Sequence, residues 1–229
     1  MKNKDPKKLI IETLTEKSAT KQTVYDNTLE SFNLFKEVLQ EMVKEYNEQL
    51  KSLDKRVQLE FWDKGAFECE LKFAGDLLVF NMHSNIFEFD KGHGVWKISY
   101  VSENNMNSYA GVINIYNFLN DSFKYNRLDD LGYLIARVFI NKENHYFVEG
   151  KRQLGYLYNN FAKSVIDKQK IKSIVESAIL YCLDFDLLVP PYDTVKIVTV
   201  AEMSDKINNS KIQTGKRLGF KFYADDDQA

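Results

Sequence analysis

From Phe67 to Phe73 the chain reads FECELKF. Phe67, Cys69, Leu71 and Phe73 fall on one side of an extended backbone; Glu68, Glu70 and Lys72 fall on the other. Unbroken alternation of this kind marks a strand with one buried and one solvated face. Val57, Leu59 and Phe61 repeat the pattern before it, and Trp96, Ile98 and Tyr100 repeat it after. Asp63, Lys64 and Gly65, then Gly75 and Asp76, then the run from Asp90 to Gly94 punctuate these segments with turn residues. The stretch from Val57 to Val101 therefore reads as an antiparallel meander whose apolar face needs a cover.

The cover is found upstream. Residues 21–54 contain neither Gly nor Pro. Tyr25, Leu29, Phe32, Leu39, Val43, Tyr46, Leu50 and Leu53 follow a four-then-three spacing, broken once at Lys36 with Phe35 beside it. Such a helix would be about 50 Å long at 1.5 Å per residue. It either lies across the meander or zips with a second copy, and the short run of clean heptads favours the cover. Ahead of it, Asp5 and Pro6 look like an N-cap and first helical residue for a short helix to about Lys17. Ser18, Ala19 and Thr20 either cap a second helix or form a soft spot in one long one.

Downstream, Tyr109 to Arg127 fits either a helix or a strand. The β-branched run favours a strand at 110–117. Leu131 to Gly150 reads as a hairpin, its first arm apolar enough for a central strand. Two helices are expected next. Leu154, Leu157, Phe161 and Val165 mark one; Ile171, Ile174, Val175, Ala178 and Cys182 mark the other, with Asp167 as its N-cap. Pro190 and Pro191 stop the chain, after which VKIVTVA and RLGFKFY read as strands and ADDDQA as a loose tail. The expected fold is α+β: a predominantly antiparallel sheet covered by a long N-terminal helix and two C-terminal helices. Residues 1–19 read as an arm or short helix ahead of a single domain over 20–229.

A chain of 229 residues buries enough surface to be stable without disulfide or metal. Aromatic residues make up 14%, which predicts an aromatic-rich core. A net charge of −2 supplies no global field to draw nucleic acid or membrane. Cys69 and Cys182 both sit at apolar positions and read as buried free thiols of a reducing compartment. The apolar stretch near the N-terminus is only Leu9, Ile10 and Ile11, too short for a signal peptide or a span. These features point to a cytoplasmic protein with no membrane partner.

No motif in the sequence specifies a chemistry. His83, His93 and His145 lack the spacing of metal ligands, so no metal or other cofactor is expected. Gly215, Lys216 and Arg217 lack the context of a triphosphate loop, and no nucleophile elbow is present. Glu68 and Glu70 read as ordinary solvated residues on an outward strand face. Two segments stand out. Between Asn120 and Asp130 the chain gathers Asp121, Lys124, Asn126, Arg127 and Asp129 between two apolar runs, where a ligand or partner site would sit. Arg127 is its natural anion contact, with an internal pair to Asp129 or Asp130 as the structural alternative. The second segment is basic: Lys206, Lys211, Lys216 and Arg217, followed by Phe220, Phe222 and Tyr223. It would suit single-stranded RNA, although those aromatics also alternate as a buried strand face does. The function expected is non-catalytic: binding a protein partner or a second copy. The alternatives are a small-ligand sensor or carrier with an aromatic-lined pocket, or an RNA binder.

Overall fold

The computed structural model describes residues 5–128, 130–184 and 191–204. Helix α1 (Pro6–Thr13) starts as its sequence demands: Asp5 Oδ1 accepts from the Lys7 amide at 3.1 Å, and Pro6 takes the first helical position. A π turn (Leu14–Ser18) joins it directly to α2 (Ala19–Leu50). Ser18 to Thr20 therefore caps no second helix: the helix is continuous, and its irregular turn lies mostly upstream, at Leu14–Ser18. No residue of α1 or the π turn is buried. From Val24 onward one face is: Val24, Thr28, Phe32, Phe35, Val38, Leu39 and Met42. Leu29, Val43, Tyr46 and Leu50 flank that face half-buried, and Leu53 lies past the helix end, 55% exposed. A helix lying on a sheet needs a wider apolar face than a coiled-coil seam, so the buried stripe is broader than the heptad reading.

The sheet is seven-stranded and antiparallel. Its strands are β1 (Glu60–Asp63), β2 (Glu68–Phe73), β3 (Asp76–Met82), β4 (Phe87–Glu88), β5 (Tyr109–Leu119), β6 (Tyr133–Ile140) and β7 (Tyr146–Gly150). They lie in the order β1-β2-β3-β5-β6-β7, and β4 pairs with β5 beyond the end of β3. Cys69, Leu71 and Phe73 point into the core beneath α2, together with Leu78, Phe80, Ile113, Ile115, Val138 and Val148. The ambiguous stretch is a strand, and it runs longer than expected. As β5 it sits between β3 and β6, where only an extended backbone can fill both ladders.

Helix α5 (Lys168–Leu183) forms where expected, with Asp167 Oδ1 accepting from the Lys170 amide at 2.7 Å. It lies beside α2 on the same face of the sheet. Tyr46 donates to Glu176 at 2.5 Å, and Lys168 and Lys172 reach Glu41 and Glu45 at 2.9 and 2.7 Å. A four-residue helix α6 (Tyr192–Val195) follows; α3 (Ser99–Ser102) and α4 (Asn120–Lys124), of four and five residues, are short pieces between strands.

Four expectations are corrected. The strand expected around Trp96, Ile98 and Tyr100 is a 3-10 turn (Gly94–Lys97) followed by α3. Val95, Ile98 and Val101 are spaced by three, and the segment uses that helical period to cover the far face of the sheet. The helix expected over 154–165 forms only a 3-10 turn (Arg152–Gly155). The chain beyond it runs along β7, where Val148 N donates to Tyr158 O at 3.1 Å and Tyr146 N to Ser164 O at 2.9 Å. An edge strand with unpaired amides took precedence over the helical pattern. No strand forms over 195–201, and Ile197 and Val200 are 82% and 85% exposed. Glu70 is not solvated: it is 4% exposed, flanked across the ladder by Trp62 and Val79, with its carboxylate 3.1 Å from Lys64. The RLGFKFY segment lies outside the described residues.

Candidate functional site

The far face of the sheet, opposite α2 and α5, carries the chemistry. One row of side chains crosses five strands: Glu68, Asn81, Asn114, Arg137 and Glu149 are consecutive ladder partners from β2 to β7. Above this polar row lie Val112, Phe139 and Phe147, capped by Val95, Val101 and Phe161 as a second small core. Between β3 and β7 the segment 83–93 rises over the sheet. It leaves a cleft of about 350 Å³ with Val112, Asn114, Arg137, Phe139 and Glu149 as floor and His83, Phe87, Phe89 and His93 as wall.

The wall is held rigidly. The Phe89 ring lies 5.0 Å from Phe139, 5.5 Å from Phe147 and 4.9 Å from His93, stacked on the last. His93 Nδ1 accepts from the Val95 amide at 3.2 Å, so its Nε2 carries the hydrogen and donates to Glu149 at 3.0 Å. The other oxygen of Glu149 takes a hydrogen bond from Arg137. Glu88, at the rim, accepts from Lys91 at 2.8 Å and from Tyr109 at 3.1 Å. The hydrogen bond from Lys91 holds its carboxyl below the ordinary value. His83 Nδ1 accepts from the Asn85 amide at 3.0 Å. His83 and His93, unrelated by spacing, thus meet in one cleft. His145 lies elsewhere, stacked 4.9 Å from Tyr100 with Nδ1 3.1 Å from the Phe161 carbonyl. A larger hollow, of about 510 Å³, lies between Thr15–Thr23 and Asn104, Met106, Lys142 and Glu143, but it is shallow and open.

The loop expected to hold the site is built inside out. Arg127 and Asp130 turn inward, each side chain only 13% exposed, with Arg127 Nε 3.0 Å from Asp130 Oδ2. That contact is an ion pair rather than an aligned hydrogen bond, and Nη2 of Arg127 also lacks a partner. Asp130 accepts from Ser122 Oγ at 2.6 Å, and the Arg127 amide donates to Ser122 O at 2.8 Å. Asp121 lies in the first turn of α4, Asn126 holds a left-handed turn at φ 50°, and Lys124 is exposed over the Tyr125 ring at 5.1 Å. Asp129 lies outside the described residues. What the loop shows to solvent is apolar. Phe123 is 50% exposed, Leu128 83%, Leu131 73% and Leu134 39%, with Tyr125 and Tyr133 beside them.

Lys206, Lys211, Lys216 and Arg217 also lie outside the described residues. Cys69 is buried as a free thiol, and Cys182 is buried as well. Among the described residues no helix is long and apolar enough to cross a membrane, and no group of three or more His, Cys, Asp or Glu could hold a metal ion. The cleft escaped sequence reasoning, although a signal for it was there. Asn114 interrupts YAGVINIY, Arg137 interrupts YLIARVFI, and Glu149 follows YFV, each a polar residue inside an apolar run. No protein-family model matches the chain, and comparison with curated proteins and with solved structures finds no match.

Proposed function

We propose that this is a non-catalytic binding protein that holds another polypeptide, a partner or a second copy of itself, against the surface formed by residues 123–134. One observation carries the reading: within that short span Phe123, Leu128, Leu131 and Leu134 all stand exposed around a loop pinned from within by Arg127 and Asp130. Surfaces of this kind on a rigid support mark interaction sites, because leaving them in water has a free-energy cost that a partner removes. Phe118, edge-on to Phe123 at 5.2 Å, extends the apolar surface onto β5. Lys124 and Asp121 lie at its margin and supply the polar rim that such interfaces carry.

The test is a Leu128→Asp/Leu131→Asp double variant, compared with the wild type by light scattering and by affinity capture from host extract. Both leucines are exposed, so the melting temperature should hold while the dimer or the captured partner is lost. Undiminished association in the variant would move the interface elsewhere.

A further inference from the structure

We infer that the cleft between segment 83–93 and the far face of the sheet is a second binding site, for a small, planar, uncharged heterocycle of nucleobase size. Its volume of about 350 Å³ falls within the range of small-ligand sites and is ample for one such ring system. Its aromatic walls are set before any ligand arrives. Phe89 is fixed by Phe139 and Phe147, and Phe87 stands 43% exposed, edge-on to His83 at 4.7 Å. Faces of this kind stack on any flat π-system.

The charges of the cleft argue against an ionic ligand. Arg137 is matched by Glu149, and Glu88 by Lys91. Asp90 caps the Gly92 amide at 2.8 Å and is exposed to water. Among the described residues lining the cleft, no unmatched cation remains to attract a carboxylate or phosphate. The Arg137 guanidinium already covers the Phe139 ring at 5.4 Å, the position a ligand cation would seek.

The unspent groups are neutral ones. Asn114 stands half-buried in the floor, and its side-chain amide makes no hydrogen bond to another described residue. It offers one donor and one acceptor side by side, the complement of the paired edge of a nucleobase. His83, with Nδ1 engaged by Asn85, has its Nε2–H free to donate. An amide edge, one N–H and flanking rings together define a flat ring with adjacent donor and acceptor.

Calorimetric or ligand-observed NMR titrations of the full chain at pH 7.5 test this. The probes are adenine and cytosine, with benzoate and tetramethylammonium as charged comparators. At least one of the two bases should bind, and more tightly than either ion. Asn114→Leu should weaken that binding roughly ten-fold, the effect of about one well-made hydrogen bond. Phe87→Ala, at an exposed ring, should weaken it as well and keeps the test valid if the Asn114 variant does not fold. A single-stranded oligonucleotide should gain nothing over the free base, because carboxylates line the rim. Four results would each overturn the proposal: neither base binds, an ion binds more tightly, both folded variants bind unchanged, or the strand binds more tightly than the base.

Discussion

Lys36 of the long helix reaches Asp63 of the edge strand β1, its Nζ 2.7 Å from Oδ1 and 2.6 Å from the Gly65 carbonyl. The lysine that interrupts the apolar stripe is therefore the bolt between α2 and the β1–β2 turn. Its side chain is only 11% exposed, its stem packed along the core and its charge at the margin. The hydrogen bond from Lys36 holds the Asp63 carboxyl below its ordinary value. Lys36→Met should keep the packing and lose the polar contacts. The expected cost is about 1–2 kcal/mol, discounted because Asp63 is half-exposed. Urea denaturation measures it, and NMR titration should find Asp63 closer to an ordinary carboxylate.

At Gly111 the helix comes close to the sheet. A Cβ there would sit 2.0 Å from Thr28 Oγ1 and 2.8 Å from Thr28 Cβ. Thr28 cannot swing away cheaply, since its hydroxyl donates to Val24 O at 2.6 Å inside the core. Gly111→Ala should cost about 1–3 kcal/mol by forcing helix and sheet apart. Adding Thr28→Ala should recover part of that loss, because the hydroxyl goes but Cβ stays. A double-mutant cycle by thermal melts reads the coupling, and simple additivity would contradict the contact.

Burial pushes the Cys69 thiol up to about 12 and the Tyr146 hydroxyl up to about 12. Tyr46 and Tyr100 move in the same direction, first by burial and then by donating to Glu176 and Glu143. In the unfolded chain the thiol loses its proton near 9.0 and the phenols near 10.0. The folded state keeps these protons longer and so binds more of them. Stability should therefore be fully present below pH 9 and should fall as the pH rises towards 12. Urea midpoints between pH 8 and 11 check the slope, which Cys69→Ala should make shallower. At pH 7.5 both Cys69 and Cys182 should label slowly in the native protein and quickly in urea.

Arg127 is expected to act within the loop. Removing it leaves the largely buried Asp130 carboxylate with Ser122 Oγ as its remaining side-chain partner among the described residues. Arg127→Ala should lower stability by about 1–3 kcal/mol while any partner captured through Leu128 and Leu131 is retained. A variant that keeps its melting temperature and loses the partner would instead place Arg127 at the contact.

Sequence alone determined those parts in which neighbouring residues agree with one another. FECELKF had to be a strand with one apolar face, Asp5 and Asp167 had to cap helices, and 21–54 had to be mostly a helix able to cover a sheet, as it is up to Leu50. Each follows from local periodicity or from backbone groups that a nearby side chain satisfies. Tertiary structure decided the rest, because in those segments two local patterns competed or the partner came from far away. The stretch around Trp96 carries both a period of two and a period of three, and the bare far face of the sheet selected the second. Segment 154–165 gave up its helical pattern to pair the exposed amides of β7. Arg127 had acidic neighbours on its own loop, but its inward turn onto Asp130 depended on how the loop packs against Ser122 of α4. The cleft was the least legible feature, because Asn114, Arg137 and Glu149 become neighbours only when three strands align in register beside His83 and His93. Register is a property of the whole sheet, and no single segment of the chain carries it.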